Sequence, residues 1–188
     1  MKKVKIAILG DGGWGTTLAI LLFNKGFDVV IWGAFADYTA LVDKKRINQK
    51  FLPGVKIPKA IEITHDLNNA LQDKGVVILA VPSQHMRQVL RKVKGCGYRK
   101  EAIFLSAAKG IEIGSLKRMS QVLHEELGSA LKSAVLSGPT IAHEVARGVP
   151  TVAVVTSLRE DTARFLQDIL MSDRFRAYTS DDVAGVEL

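Results

Sequence analysis

Cysteine is almost missing from this sequence: among 188 residues there is one, Cys96. A lone thiol closes no internal disulfide, which excludes a disulfide-stapled secreted scaffold. The four histidines, His65, His85, His124 and His143, have no close metal-ligand spacing, so no metal site is expected. No apolar run approaches the roughly 20 residues of a membrane span. The opening MKKVKIAILG runs from a short apolar stretch straight into glycines, with no small-residue cleavage pattern, and so does not read as a signal peptide. Together these absences point to a cytoplasmic protein without a membrane span. Repeats and low-complexity tracts are also lacking.

Aromatic residues make up 6% of the chain and do not interleave the basic ones, as a nucleic-acid platform would require. The formal charge of +7 is spread thinly, with clusters only at Lys44, Lys45 and Arg46 and over residues 91–100. It reads as solvated surface charge first, then as a field that draws in small phosphorylated ligands, and not as a nucleic-acid footprint. With 47% hydrophobic and 24% charged residues, the length suits one globular domain with a sizeable core.

Short runs rich in Val, Ile, Leu and Ala occur at 5–9, 28–32, 61–64, 76–81, 102–106, 134–137 and 151–156. Between most of them lie stretches of helical character at 13–25, 67–72, 83–93, 116–127, 141–147 and 159–170. Strands apolar on both faces, alternating with helices, predict an α/β fold: a Rossmann-type, doubly wound, mostly parallel sheet with helices on each side. The segment NQKFLPGVKIP at 48–58, with two prolines and a glycine, predicts a loop crossing the sheet edge.

The first strand runs directly into GDGGWG, in which Gly10, Gly12 and Gly15 have the spacing G-x-G-x-x-G. The first glycine suits the turn, the second lets a phosphate approach the backbone, and the third lets helix and strand pack closely. A dinucleotide pyrophosphate on the free N–H groups of the helix from Gly13 is the chemistry this pattern fits; the bland alternative is a tight structural turn. Asp11 is awkward beside a pyrophosphate, and its carboxylate is expected to point to solvent. The second strand ends in IWGAFADY, where Gly33 and Ala34 offer neither a carboxylate for NAD nor an arginine for the 2′-phosphate of NADP, which leaves the choice between them open. Asp37 is a candidate for the ribose-reading acid, but reads first as a helix N-cap.

Several segments together resemble the NAD(P)-dependent glycerol-3-phosphate dehydrogenases: GDGGWGTTLA at 10–19, VVIW at 29–32, FLPGVKIP at 51–58, LAVPSQ at 79–84, SAAKGIE at 106–112, LSGPTIAHEVARGVPT at 136–151 and FRAYTSDDVAGVEL at 175–188. The resemblance spans essentially the whole chain in order, and is far more specific than the glycine loop. It implies NAD or NADP as cofactor, held by Gly10, Gly12, Gly13, Trp14, Gly15, Pro82, His85, Lys109 and Ala142, with Trp14 covering the phosphates and no proton-transfer role for His85. It implies that Lys109, Gly138 and Thr140 contact the substrate, dihydroxyacetone phosphate or sn-glycerol 3-phosphate. Taken alone, Pro82 would start a helix, Lys109 would be a solvated loop lysine, and residues 138–140 would cap a helix.

By the same resemblance GVEL should be followed within a few residues by the lysine that exchanges the proton, at the start of an all-helical substrate domain. The chain ends at Leu188 in an apolar stretch that reads as cut. Residues 1–188 are therefore expected to be the cofactor-binding domain, inactive alone, of an enzyme that is a homodimer at full length and supplies glycerophospholipid precursor. The alternatives are another two-domain dehydrogenase of the same plan, acting on a different small acid or sugar phosphate, or a non-catalytic dinucleotide-sensing domain.

Overall fold

A run of four consecutive apolar residues in a short strand demands cover on both faces, and β1 (Lys5–Leu9) has it: every residue but Lys5 is buried. The computed structural model describes residues 4–188, so the first three residues of the opening segment lie outside it. On one side of β1 lie β2 (Asp28–Trp32) and β3 (Glu62–Thr64); on the other lie β4 (Val76–Leu79), β5 (Ile103–Ser106) and β6 (Lys132–Ser137). These strands are parallel. Next come β7 (Thr151–Thr156), antiparallel to β6, and β8 (Phe175–Ser180), parallel to β7. The order β3-β2-β1-β4-β5-β6-β7-β8 is the doubly wound arrangement, extended at one edge by a reversed pair.

The helices are α1 (Gly13–Asn24), α2 (Ala36–Lys45), α3 (Leu67–Leu71), α4 (Ser83–Gly95), α5 (Met119–Leu127), α6 (Ala142–Ala146), α7 (Glu160–Leu170) and α8 (Val183–Glu187). Alternate residues of β1 divide between two cores. Ile6 and Ile8 share one with Leu18 and Leu22 of α1 and Leu166 and Leu170 of α7. Ala7 and Leu9 share the other with Leu71 of α3, Met86 and Leu90 of α4 and Val122 of α5. The buried positions of α4, Met86, Val89, Leu90 and Val93, repeat at the spacing of one helix face. Each fully buried aliphatic side chain stabilises the fold by about 1.5 to 3 kcal/mol relative to exposure.

Where the fold departs from the sequence reading, the reasons are local. Helix α2 is signalled in the sequence only by a cap at its start and by no apolar stripe, because only Thr39 and Val42 are buried on it. It starts at Ala36 with Phe35 as N-cap, so Asp37 is an exposed residue of the first turn rather than the cap. The helix expected over 116–127 begins only at Met119: Leu116 takes a left-handed φ of 55°, and an Ile111–Arg118 bridge folds the preceding segment into a loop. Strand β8 was missed although Phe175 and Ala177 are buried and Arg176 and Tyr178 exposed, the period of a half-covered strand. No helix among the described residues is long and apolar enough to cross a membrane.

Candidate nucleotide-binding site

Because β1, β4, β5 and β6 are parallel, the loops leaving their carboxyl ends meet along one edge, beside the point where the strand order reverses between β1 and β4. The glycines divide the work in the first of these loops. Gly10 has φ +124°, and a Cβ there would lie 2.7 Å from the Ala80 carbonyl carbon, so only glycine lets the loops after β1 and β4 touch. A Cβ at Gly15 would sit 2.0 Å from the Gly10 carbonyl oxygen, and one at Gly13 would sit 2.5 Å from that of Phe51. Gly12 differs: nothing lies within 4 Å of its Cβ position.

Gly12 is also the N-cap of α1, and no side chain caps that helix. The N–H groups of its first turn therefore have no intrahelical acceptor, and they carry the positive end of a 12-residue helix dipole. An open backbone ledge backed by such a helix end fits a pyrophosphate. Trp14 is half-buried beside this ledge; its ring packs on Phe175, centroids 6.4 Å apart, and on the core.

A polar network that the sequence reading did not find holds the loop from behind. Asn48, fully buried, donates through its amide to the Asp11 carbonyl (2.7 Å) and to the Thr16 hydroxyl (2.8 Å), and accepts from the Tyr38 hydroxyl (2.6 Å). The loop over 48–58 thus seats its own first residue under the glycine turn while Phe51 reaches Gly13. Nothing in the spacing of NQKFLPGVKIP signals this, because the contact crosses 37 residues of sequence. Asp11 does not point to solvent as expected. It is 9% exposed, and its carboxylate accepts from the Thr39 hydroxyl at 3.3 Å beside Gly33. Burial raises its pKa, only partly offset by hydrogen bonds from its own backbone and from Thr39.

Pro82 caps α4 and is exposed, as is His85 in the first turn of that helix, whose backbone N–H donates to the Pro82 carbonyl at 2.9 Å. Gln84 ties in the loop after β5: its amide nitrogen donates to the Ile111 carbonyl (2.8 Å), and its oxygen accepts from the Ile113 N–H (2.9 Å). On that loop Lys109 Nζ donates to the Gly138 carbonyl at 2.9 Å, bridging the carboxyl ends of β5 and β6. Gly138 has φ +146°, and its Cβ position is 3.0 Å from Ala153 Cα. The Thr140 N–H donates to the Gly138 carbonyl at 2.8 Å. Ala142 lies beside the glycine loop, its Cβ 3.6 Å from the Cβ position of Gly13, and its carbonyl accepts from the Thr17 hydroxyl at 3.1 Å.

The candidate residues thus form contacting groups along one edge: Gly10 and Gly15 against Ala80, Gly13 against Ala142, and Lys109 with Gly138 and Thr140. Pro82 and His85 stand on the helix that leaves the same edge.

Residues 5–163 match the model of the NAD-dependent glycerol-3-phosphate dehydrogenase N-terminus. The chain is 46% identical over 186 residues to a glycerol-3-phosphate dehydrogenase [NAD(P)+] of Syntrophomonas wolfei, covering 98% of this chain and 54% of that protein. It is 42% identical to the protein of the same name from Carboxydothermus hydrogenoformans, covering 100% of this chain and 56% of that one. Among solved structures, glycerol-3-phosphate dehydrogenase from Coxiella burnetii superposes with a TM-score of 0.93 at 33% identity, over 98% of this chain and 56% of that one. The chain spans about half the length of these relatives. With the fold, the glycine ledge and these likenesses in agreement, the chain belongs to the NAD-dependent glycerol-3-phosphate dehydrogenase family and carries its N-terminal domain.

Proposed function

We propose that this chain is the cofactor-binding half of an enzyme that interconverts dihydroxyacetone phosphate and sn-glycerol 3-phosphate with NADH or NADPH. The observation that carries this reading is the uncapped start of α1 at an open Gly12, on the same edge as the Lys109–Gly138 bridge. Gly10, Gly12, Gly13 and Gly15 shape the pyrophosphate ledge, Trp14 and Ala142 flank it, and Pro82 and His85 line the nicotinamide end. Bound cofactor supplies the hydride that converts the substrate ketone to an alcohol. Lys109, held by the Gly138 carbonyl, keeps an ammonium where it can hold a substrate phosphate or stabilise developing negative charge on the ketone oxygen. Gly138 and Thr140 complete the substrate side.

The proton that must join the alkoxide comes, in this reading, from a lysine of the helical domain beyond residue 188, and the whole enzyme is a cytoplasmic homodimer. Titration calorimetry of the 188-residue chain with NADH and with NADPH is expected to give heat and thermal stabilisation. No response to either at millimolar concentration overturns the reading. Binding without turnover, even when the chain is joined to a helical half from a relative, favours a dinucleotide sensor instead.

A further inference from the structure

In doubly wound nucleotide-binding folds, a carboxylate at the end of the second strand accepts hydrogen bonds from the adenosine ribose. Strand β2 ends at Trp32 and is followed by Gly33, Ala34 and Phe35, none of which carries an acid. The glycine loop delivers one to the same place. A Cβ at Gly33 would lie 2.3 Å from Asp11 Oδ2 and 2.2 Å from Thr39 Oγ1. The Asp11 carboxylate therefore fills the space in which a side chain at the end of β2 would begin, and Gly33 has to be glycine to admit it.

Asp11 is 9% exposed as a residue, yet its carboxylate takes only a hydrogen bond from its own backbone and one from the Thr39 hydroxyl at the long distance of 3.3 Å, and among the described residues no Lys or Arg pairs with it. A carboxylate on a largely buried residue with so few donors has acceptor capacity left for donors from elsewhere. Ribose hydroxyls at the adenosine end of the ledge are donors of the right kind.

We propose that Asp11 is the specificity-determining acid of the cofactor site: it accepts hydrogen bonds from the adenosine ribose hydroxyls and opposes a 2′-phosphate, so that the site selects the non-phosphorylated dinucleotide. The proposal rests on the cofactor-binding reading and adds a choice that the end of β2 alone leaves open. A 2′-phosphate would set a dianion against a desolvated carboxylate, and like charges so placed oppose binding strongly.

The test needs no catalysis. The chain is titrated calorimetrically with ADP-ribose and with 2′-phospho-ADP-ribose, and then again as Asp11→Asn, which keeps the shape and removes the charge. The parent is expected to bind ADP-ribose at least about tenfold more tightly, and Asp11→Asn to bring the two affinities within about threefold, chiefly by strengthening the phosphorylated ligand. An unchanged ratio in a folded Asp11→Asn overturns the proposal, as does a parent that binds both ligands equally. A merely structural Asp11 would lower the melting temperature and leave the ratio alone. Should Asp11→Asn fail to fold, the 2′-deoxy analogue of ADP-ribose decides on the parent alone: weaker binding than ADP-ribose supports the proposal, and equal binding overturns it. If neither ligand nor either reduced dinucleotide binds, the cofactor reading itself has failed. If both ligands bind with an indifferent ratio, only the assignment of Asp11 has failed.

Discussion

A methyl group added at Gly15 would lie 2.0 Å from the Gly10 carbonyl oxygen, whereas one added at Gly12 would meet nothing within 4 Å. Gly12 also has φ −71° and ψ 179°, which any residue adopts. Its glycine therefore serves what approaches from outside, while that of Gly15 serves internal packing. Gly12→Val is expected to keep a melting temperature near that of the parent and to weaken dinucleotide binding by about tenfold or more, because the branched side chain occupies the ledge. Gly15→Ala is expected to lose about 1 to 3 kcal/mol of stability, through a backbone shift that cannot be avoided. Thermal melts and calorimetry on the two variants separate these effects; a Gly12→Val that binds like the parent would make the loop a structural turn. The glycine pattern was legible because it is local. The course of Asp11 was not, since its partner Thr39 lies 28 residues on, in a helix with little periodic signal.

At the scale of elements, α4 and α5 and the loop between β5 and α5 are joined through one side chain. The Arg87 guanidinium donates to Glu112 twice at 2.8 Å, to Glu125 at 2.8 Å and to Glu126 at 2.6 Å. With Gln84, this network holds the loop that carries Lys109. The hydrogen bonds from Arg87, and then from Ser115, lower the Glu112 pKa from 4.5 to about 2. Because the folded-state value lies below the unfolded one, the stability it contributes is complete above pH 4.5 and is lost as pH falls through about 2. Urea unfolding midpoints across that window are expected to fall more steeply for the parent than for Glu112→Gln; identical slopes would mean that the pair contributes nothing. Farther along, buried Glu187 accepts from the Ser120 N–H and hydroxyl, both at 2.6 Å, and from Arg118 at 2.8 Å, so α8 is anchored to the start of α5. The apolar period of α4 was readable in sequence; that four carboxylate contacts converge on its Arg87 was not, because each is set by how the helices pack.

For the whole molecule, the sheet gathers the candidate residues at one edge, and in the proposed function that edge is one wall of a two-part site. Hydride transfer leaves an alkoxide, and general acid catalysis contributes roughly 10²- to 10⁴-fold. The 188-residue chain is accordingly expected to bind dinucleotide and to show no measurable oxidation of NADH with dihydroxyacetone phosphate. A chimera carrying the second half of a full-length relative is expected to turn over, and Lys109→Ala in that chimera to lose about 2 to 4 kcal/mol of transition-state stabilisation if the ammonium faces the oxyanion. Robust turnover by the short chain would overturn the two-part mechanism. Seven of the strands, most of the helices between them, the largely parallel sheet and the glycine turn were determined by the sequence alone, because each rests on the periodicity or spacing of neighbouring residues; α2 and β8 were not. Only the tertiary structure decided that β7 turns antiparallel to β6, that Asn48 braces the glycine loop, that Lys109 meets Gly138 and that Asp11 stands where β2 carries no acid. Those contacts join residues 17 to 37 positions apart, and no local pattern encodes a distance that only the folded sheet closes.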